Sequence, residues 1–329
     1  MSLAPFSRYV RRGAMVAVSA IAMSGSLVGC AHGGQMAPTS NDANMPTQSA
    51  MAEVPPPPAP PQTKPEPPPV VIPPLPVATD AEARAEAHNL QKEMRQKIAR
   101  YTPFSPSRRA TFVQMAKDAI EQDGTKIDRP QVVMVVDRAE TVQRVNFVLA
   151  FPDAPWESLG GAPVSTGTTA RKYYYITPTG VFHNTIDRLG YRAEGTKNKF
   201  GIRGIGAKGS RVWDLGWHTA MKGWLPQHET GQIRLEIHAT DPQFLEWRLG
   251  HSASEGCIRI PAALNQIMDH HGLIDAQYEQ AASYDRRFSS LLLKDRVPLK
   301  IAGDLIVVID SGSGTEPKID PLASKRQLP

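Results

Sequence analysis

Apolar residues recur every three or four positions between residues 79 and 100. Those positions are Ala83, Ala87, Leu90, Met94 and Ile98. This spacing places them on one face of an α-helix. Thr79 followed by Glu82 matches a capping box at the helix start. The pattern predicts an amphipathic helix over residues 79–100.

A second stretch shows the same helical period. Ser105 and Pro106 are typical of a helix start, and Gly124 is typical of a helix end. The apolar positions between them include Val113, Ala116 and Ile120. We therefore expect a helical segment over residues 79–130. The sequence leaves open whether it is a small cap or a surface for a partner.

The period changes from helical to β-like after residue 130. Residues 132–136 form a continuous apolar run, and Val145, Phe147 and Leu149 alternate with other residues. Residues 234–238 alternate polar and apolar, so His238 is expected on the polar face at the end of a strand. Turn sequences at short intervals favour a sheet-rich domain.

The C-terminal half adds helices and two further strand candidates. Residues 261–271, closed by Gly272, predict a helix, and residues 275–293 predict a helical insertion. Two apolar runs, 297–301 and 304–309, predict strands. The fold class expected is mainly β: a catalytic domain at 131–310 with a few helices, followed by a disordered tail at 311–329.

Residues 31–78 are poor in large apolar side chains and rich in proline. Fifteen of the thirty prolines of the chain lie between Gly34 and Ala78. Such composition favours an extended, disordered linker over a packed core.

The first thirty residues are typical of a signal peptide. Arg8, Arg11 and Arg12 precede an apolar stretch that is short for a transmembrane helix. It ends in a lipobox from Leu27 to Cys30, which predicts a lipoprotein acylated at Cys30. Ala31 favours the outer membrane over the inner one, and hence a periplasmic protein. An ordinary cleaved signal is the alternative.

The overall composition restricts the classes of binding partner that are expected. The chain has 329 residues, a net charge of +5 and 41% hydrophobic residues, enough for a substantial core. Its basic residues form no long run and no aromatic-spaced stripe, so nucleic-acid binding is not expected.

Cysteine usage points to the chemistry. Only Cys30 and Cys257 are present, so Cys257 has no disulfide partner once Cys30 is acylated. A lone thiol is either a buried small hydrophobe or a nucleophile. Gly256 allows close backbone approach, so the amides of Glu255, Gly256 and Cys257 are candidates for an oxyanion hole.

The segment Ile237-His238-Ala239-Thr240, then Gly250, then Ser254-Glu255-Gly256-Cys257-Ile258-Arg259 resembles the signature of YkuD-type L,D-transpeptidases. Val164-Ser165-Thr166-Gly167 and Thr177-Pro178-Thr179-Gly180-Val181-Phe182 are similar to that family's strand and substrate-side turn. The resemblance covers about residues 131–309.

The resemblance implies a β-sandwich and a thioester mechanism on peptidoglycan stem peptides, without a metal or organic cofactor. It implies these roles: Cys257 as nucleophile, His238 as base, the Ala239 carbonyl as orienting group, and Ser254, Arg259 and Gly250 as motif support or substrate-binding residues. The products implied are 3,3 or 1,3 crosslinks.

Glu255 departs from the family, which usually has histidine at this position. A carboxylate there is expected to raise the pKa of the thiol, or to bind the acceptor amine. Hydrolysis of the same acyl-enzyme and a non-catalytic wall-tethering role are the alternatives. The long segment 183–232 is either a lid or a packed insertion. A metal site of His238, His251 and Cys257 is disfavoured because no closely spaced ligand pair accompanies them.

Overall fold

The computed structural model of the protein describes residues 71–169, 171–225 and 229–312. The expected signal peptide with Cys30, most of the proline-rich linker and nearly all of the C-terminal tail lie outside the described residues. Among the residues described, no helix is both long and apolar enough to cross a membrane.

Both N-terminal helices form where the sequence predicts them. Helix α1 spans Asp80–Lys97, and the Thr79 and Glu82 side chains cap it reciprocally. Helix α2 spans Pro106–Asp123, with Ser105 as its N-cap and Gly124 at its C-cap. The predicted capping signals are therefore confirmed.

Within the described residues, nine strands form two sheets. The five-stranded sheet contains β1 (Gln131–Asp137), β2 (Arg144–Ala150), β3 (Glu157–Pro163), β4 (Gly180–His183) and β9 (Leu305–Ile309). Its order is β3-β2-β1-β9-β4. The four-stranded sheet contains β5 (Tyr191–Arg192), β6 (Arg211–Met221), β7 (Thr230–Ala239) and β8 (Ile258–Ile260). Its order is β5-β6-β7-β8.

Three further helices follow the second sheet. They are α3 (Ala262–His271), α4 (Ala276–Ala281) and α5 (Arg286–Leu291). The predicted strand at 297–301 is wrong. The amides of Val297 and Leu299 instead donate to the carbonyls of His270 and His271 at the end of α3. This segment satisfies the end of a helix and forms no strand, although the Ile301 carbonyl accepts a hydrogen bond from Val132 of β1 at 2.7 Å.

The main hydrophobic core draws on both sheets and on two of the helices. It contains Leu90 of α1, Leu264 of α3, Phe147 of the five-stranded sheet, and Ile237 and Ile258 of the four-stranded sheet. Each of these side chains is at most 2% exposed. Burying one such side chain contributes about 1.5–3 kcal/mol to stability.

A second core lies on the other side of the five-stranded sheet. Phe112, Ala116 and Ile120 of α2 pack there against Val133 and Val135 of β1. Because alternate residues of β1 enter the two cores, the strand is buried on both faces. That explains its unbroken apolar run.

The fold is therefore mixed α/β, with two sheets and five helices in the described residues. The expectation of a mainly β protein is not supported, because helix and strand contents are roughly equal. The difference arises because α1 and α2 are integral to the two cores.

Candidate functional site

The pairing of β7 with β8 places the two predicted catalytic residues on one face of the four-stranded sheet. These strands are parallel, with Ile237 opposite Ile258 and His238 opposite Arg259. Ile237 and Ile258 are buried in the main core. Since side chains alternate along a strand, His238 and Arg259 point to the opposite face, and Cys257 precedes β8 on that same side.

His238 is buried, with 3% of its surface exposed. Its Nδ1 lies 2.7 Å from the Ala239 carbonyl oxygen. Because a carbonyl only accepts, Nδ1 carries the proton and Nε2 carries the lone pair. Burial lowers the pKa of His238 to about 4; the bond to Ala239 opposes this and the Arg259 charge adds to it. The imidazole is thus neutral at pH 7, as a general base requires.

Cys257 is half-buried, and its Sγ lies 3.7 Å from the Arg234 carbonyl oxygen. Burial, and after it the Glu236 charge, raise the pKa of the thiol to about 11. The resting site therefore holds a neutral thiol and a neutral imidazole. The thiol hydrogen-bonds to the Arg234 carbonyl and not to His238, so transfer of its proton to His238 would require the thiol to rotate.

The loop before Cys257 is fixed by hydrogen bonds from several elements. Ser254 is fully buried; its Oγ donates to the Cys257 carbonyl at 2.6 Å and accepts from the Gly256 amide at 3.1 Å. Thr177 Oγ1 donates to the Gly256 carbonyl at 2.7 Å and accepts from the Gly167 amide at 2.9 Å. The segments predicted as the family's strand and turn thus brace the cysteine loop.

Gly256 has a φ of +134°, a conformation that residues with a side chain rarely adopt. An added Cβ would also come within 2.9 Å of Ile233 Cδ1. The Gly256 amide donates to Ser254 Oγ at 3.1 Å, so an oxyanion would have to compete with that hydrogen bond. The amides of Glu255 and Cys257 are the other candidates.

Arg259 is a half-buried cation beside the thiol. One guanidinium nitrogen donates to the Ala253 carbonyl at 3.3 Å, and its buried Nε has no hydrogen-bond partner. Burial lowers the pKa of Arg259, while the Cys257 and Glu255 charges oppose that shift. A buried, incompletely bonded guanidinium is suited to bind a carboxylate.

Gly250 has a backbone role. Its φ is +99°, and its amide donates to the Val164 carbonyl at 2.6 Å. The neighbouring Leu249 carbonyl accepts from Arg100, at 2.9 Å. Gly250 therefore fixes the chain between β7 and the cysteine loop, next to the end of the helical segment.

The sequence analysis missed Glu236, which acts on the Cys257 thiol more strongly than Glu255 does. Glu255 is exposed, whereas Glu236 is half-buried on β7. The alternation of residues 234, 236 and 238 along one strand, which predicts the face of His238, also places Glu236 on that face.

The segment 183–232 contributes β5, β6 and the start of β7 to the second sheet, and residues 193–210 lie outside any strand. Trp213 is buried in the main core, whereas Trp217 is 68% exposed. Trp224 packs edge-on against Tyr175, with ring centroids 5.2 Å apart. His228 of the same segment lies outside the described residues.

Metal coordination is not favoured by the geometry of the described residues. In that part of the chain, no three His, Cys, Asp or Glu side chains are placed to hold a metal ion together. His251 is exposed, whereas His238 is buried.

Comparison of the chain with models of known protein families finds no match, and comparison with curated proteins finds none either.

Proposed function

We propose that the protein is a cysteine L,D-transpeptidase that crosslinks peptidoglycan stem peptides. The observation that carries the proposal is the placement of Cys257 and His238 on one sheet face, with the imidazole oriented by the Ala239 carbonyl. A neutral, buried imidazole with Nε2 available is suited to accept a thiol proton.

In the proposed acylation, the Cys257 proton passes to His238 Nε2 while sulfur attacks the amide carbonyl after a diaminopimelate residue. The amides of Cys257 and Glu255 then stabilise the oxyanion. His238 returns the proton to the leaving amine as the carbon–nitrogen bond breaks, which leaves a thioester on Cys257. Arg259 holds a carboxylate of the donor peptide.

In the proposed transfer, an acceptor amine attacks the thioester and Cys257 leaves as the thiol. Both 3,3 and 1,3 crosslinks are compatible with this chemistry. The steps on the protein need no metal or organic cofactor.

We further propose that the two sheets form the β-sandwich of the YkuD family, in a divergent branch with Glu255 at the usual histidine position. Support comes from the main core, which contains residues of both sheets. It also comes from the Ser254, Gly256 and Thr177 contacts, which tie the motif segments together.

The proposed setting is the periplasm. There the Cys30 lipid would anchor the protein to the outer membrane, and the proline-rich segment would extend the catalytic domain toward the wall. The partners proposed are stem peptides and a membrane, and not nucleic acid.

The experiment is to incubate the purified protein and its Cys257→Ala variant with peptidoglycan and to analyse the muropeptides by mass spectrometry. New dimers that depend on Cys257 support a transpeptidase, and their linkage identifies the crosslink. Shortened monomers or released wall peptides instead indicate a hydrolase that resolves the same thioester with water. Unchanged function of Cys257→Ala in cells would point to a non-catalytic tether.

A further inference from the structure

Glu236 is the acidic residue that the strand register places beside Cys257. Ile237 pairs with Ile258, so Glu236 and Cys257, one residue earlier on each chain, are neighbours on the other face of the sheet. The Glu236 side chain is 13% exposed. Its carboxylate therefore forms part of the wall around the thiol.

One oxygen of this carboxylate is held in place. Tyr191 Oη on β5 donates to Glu236 Oε1 at 3.1 Å. Arg234 Nε is 4.0 Å from the same oxygen but hydrogen-bonds to Asp214 of β6 at 2.9 Å. Arg234 therefore binds mainly the Asp214 carboxylate, and its contact with Glu236 is longer than a hydrogen bond.

The other oxygen is available to a ligand. Within the described residues, none donates a hydrogen bond to Glu236 Oε2. A carboxylate in a largely buried side chain is ordinarily paired with a close cation or fully hydrogen-bonded. Glu236 has one hydrogen bond, from Tyr191, and an ion pair with Arg234 that is as long as 4.0 Å. It lies beside the thiol, so a positively charged group of a substrate fits here.

The two sides of the thiol differ in charge. Arg259 offers a cation whose buried Nε has no partner, and Glu236 offers an anion. In the proposed reaction the donor brings a carboxylate and the acceptor brings an amine. A primary amine of the lysine type has a pKa of about 10.4, so it arrives protonated at neutral pH and must lose a proton before it attacks.

We propose that Glu236 binds the ammonium group of the acceptor and accepts the proton that leaves before attack, with Tyr191 holding the carboxylate in position. This inference rests on the proposed transpeptidase function. It assigns the acceptor to the class of primary amines that are cationic at neutral pH.

The proton and electron balance is complete without another reagent. The ammonium gives one proton to the Glu236 carboxylate, and the free amine attacks the thioester carbonyl. A carbon–nitrogen bond forms, the carbon–sulfur bond breaks, and the second amine proton passes through His238 to the sulfur. Glu236 then returns its proton to water.

The surroundings of Glu236 favour this role. Burial raises the pKa of Glu236; the Tyr191 hydrogen bond opposes this, the Asp214 charge adds to it and the Arg234 charge opposes it. A raised pKa makes the carboxylate a better proton acceptor than an exposed glutamate. The groups that face it are Tyr191, Asp214, Arg234 and Cys257.

The test separates acylation from transfer. The full-length protein is acylated with a disaccharide-tetrapeptide, and Nα-acetyl-lysine is the amine probe. Intact-protein mass spectrometry gives the acylation rate, and product analysis gives the ratio of amide formation to hydrolysis. In Glu236→Gln we expect acylation to be faster, because a charge that raises the thiol pKa is removed. We expect the amide-to-hydrolysis ratio to fall on the order of 100-fold.

A faster acylation combined with a lower amide-to-hydrolysis ratio distinguishes this role from general damage to the fold, which would slow both reactions. Tyr191→Phe keeps the ring and removes the donor to Glu236, so a smaller fall in the ratio is expected. Glu140→Gln makes the same charge change at an exposed site. It is expected to alter neither the acylation rate nor the amide-to-hydrolysis ratio. At pH values near the amine pKa, the amide-to-hydrolysis ratio of Glu236→Gln should approach that of the wild-type protein, because the probe no longer needs a proton acceptor.

Two results would overturn the inference in distinguishable ways. If the wild-type protein forms no acyl-enzyme on Cys257, the proposed function fails and this inference fails with it. If acylation occurs but Glu236→Gln and Tyr191→Phe keep the wild-type ratio, only the inference fails. If the amide-to-hydrolysis ratio falls in Glu255→Gln and not in those two variants, the amine is bound by the exposed Glu255 carboxylate instead.

Discussion

At the scale of single residues, the burial of His238 links the chemistry of the site to the stability of the fold. The buried imidazole has a pKa of about 4, against 6.5 for an ordinary histidine. Between these values the unfolded chain binds a proton that the folded protein does not. His238 therefore leaves the native state fully stable above pH 6.5 and destabilises it as the pH falls toward 4.

We expect the free energy of unfolding to fall by roughly 3 kcal/mol from this residue between pH 6.5 and pH 4. Urea titrations at several pH values measure it, with His238→Gln as the comparison. The variant is expected to lose less stability over the same interval. If the free energy of unfolding falls equally with pH in the two proteins, His238 does not titrate as described.

The local motifs around Cys257 and His238 are informative, so the sequence predicts both as site residues. Glu236 and Tyr191 carried no such signal, since their proximity depends on the register of β5, β6 and β7. The expected effect of Glu255 on the thiol has the predicted direction, but burial and Glu236 have larger effects. Burial and register are properties of the fold that a local motif does not contain.

At the scale of elements, the cysteine loop depends on the turn that follows the Ser165–Gly167 segment. Thr177 is fully buried and uses its hydroxyl twice, as acceptor from Gly167 and donor to Gly256. The loop therefore takes its shape partly from a segment about eighty residues earlier.

Thr177→Val keeps the side-chain shape and removes both hydrogen bonds. Each unpaired buried group costs about 1–3 kcal/mol, so we expect a loss of a few kcal/mol in the free energy of unfolding. We also expect a changed rate of Cys257 alkylation, because the Gly256 carbonyl is released. The same change at Thr196, which is exposed, is the control. Wild-type stability of Thr177→Val would contradict the described role.

Elements whose ends are defined by local chemistry were predicted well. The bounds of α1 and α2 follow from Thr79, Ser105 and Gly124, which act on neighbouring backbone groups. The run 297–301 was misassigned as a strand because its partner is the end of α3. Its composition suits either arrangement, and only tertiary contacts distinguish them.

At the scale of the whole molecule, the helical segment is inseparable from the sheets. Helix α1 contributes to the main core, and α2 covers the second face of the five-stranded sheet. Sequence periodicity revealed both helices but not their packing. A mainly β fold is therefore expected from the sequence, whereas α1 and α2 in fact join both cores.

A chain that begins at residue 131 is expected not to fold cooperatively, because both cores would lose large buried side chains such as Leu90 and Phe112. A chain that begins at residue 71 keeps them and is expected to unfold in one transition. Circular dichroism with urea titration compares the two. A cooperative transition in the shorter chain would show that the sheets fold without α1 and α2.

The unusual thiol environment also affects chemical durability. With a pKa of about 11, roughly one Cys257 in ten thousand is a thiolate at pH 7. Peroxides oxidise the thiolate and not the thiol. The burial that raises the pKa of Cys257 is therefore expected to slow its oxidation by peroxides as well as its unassisted attack on a substrate.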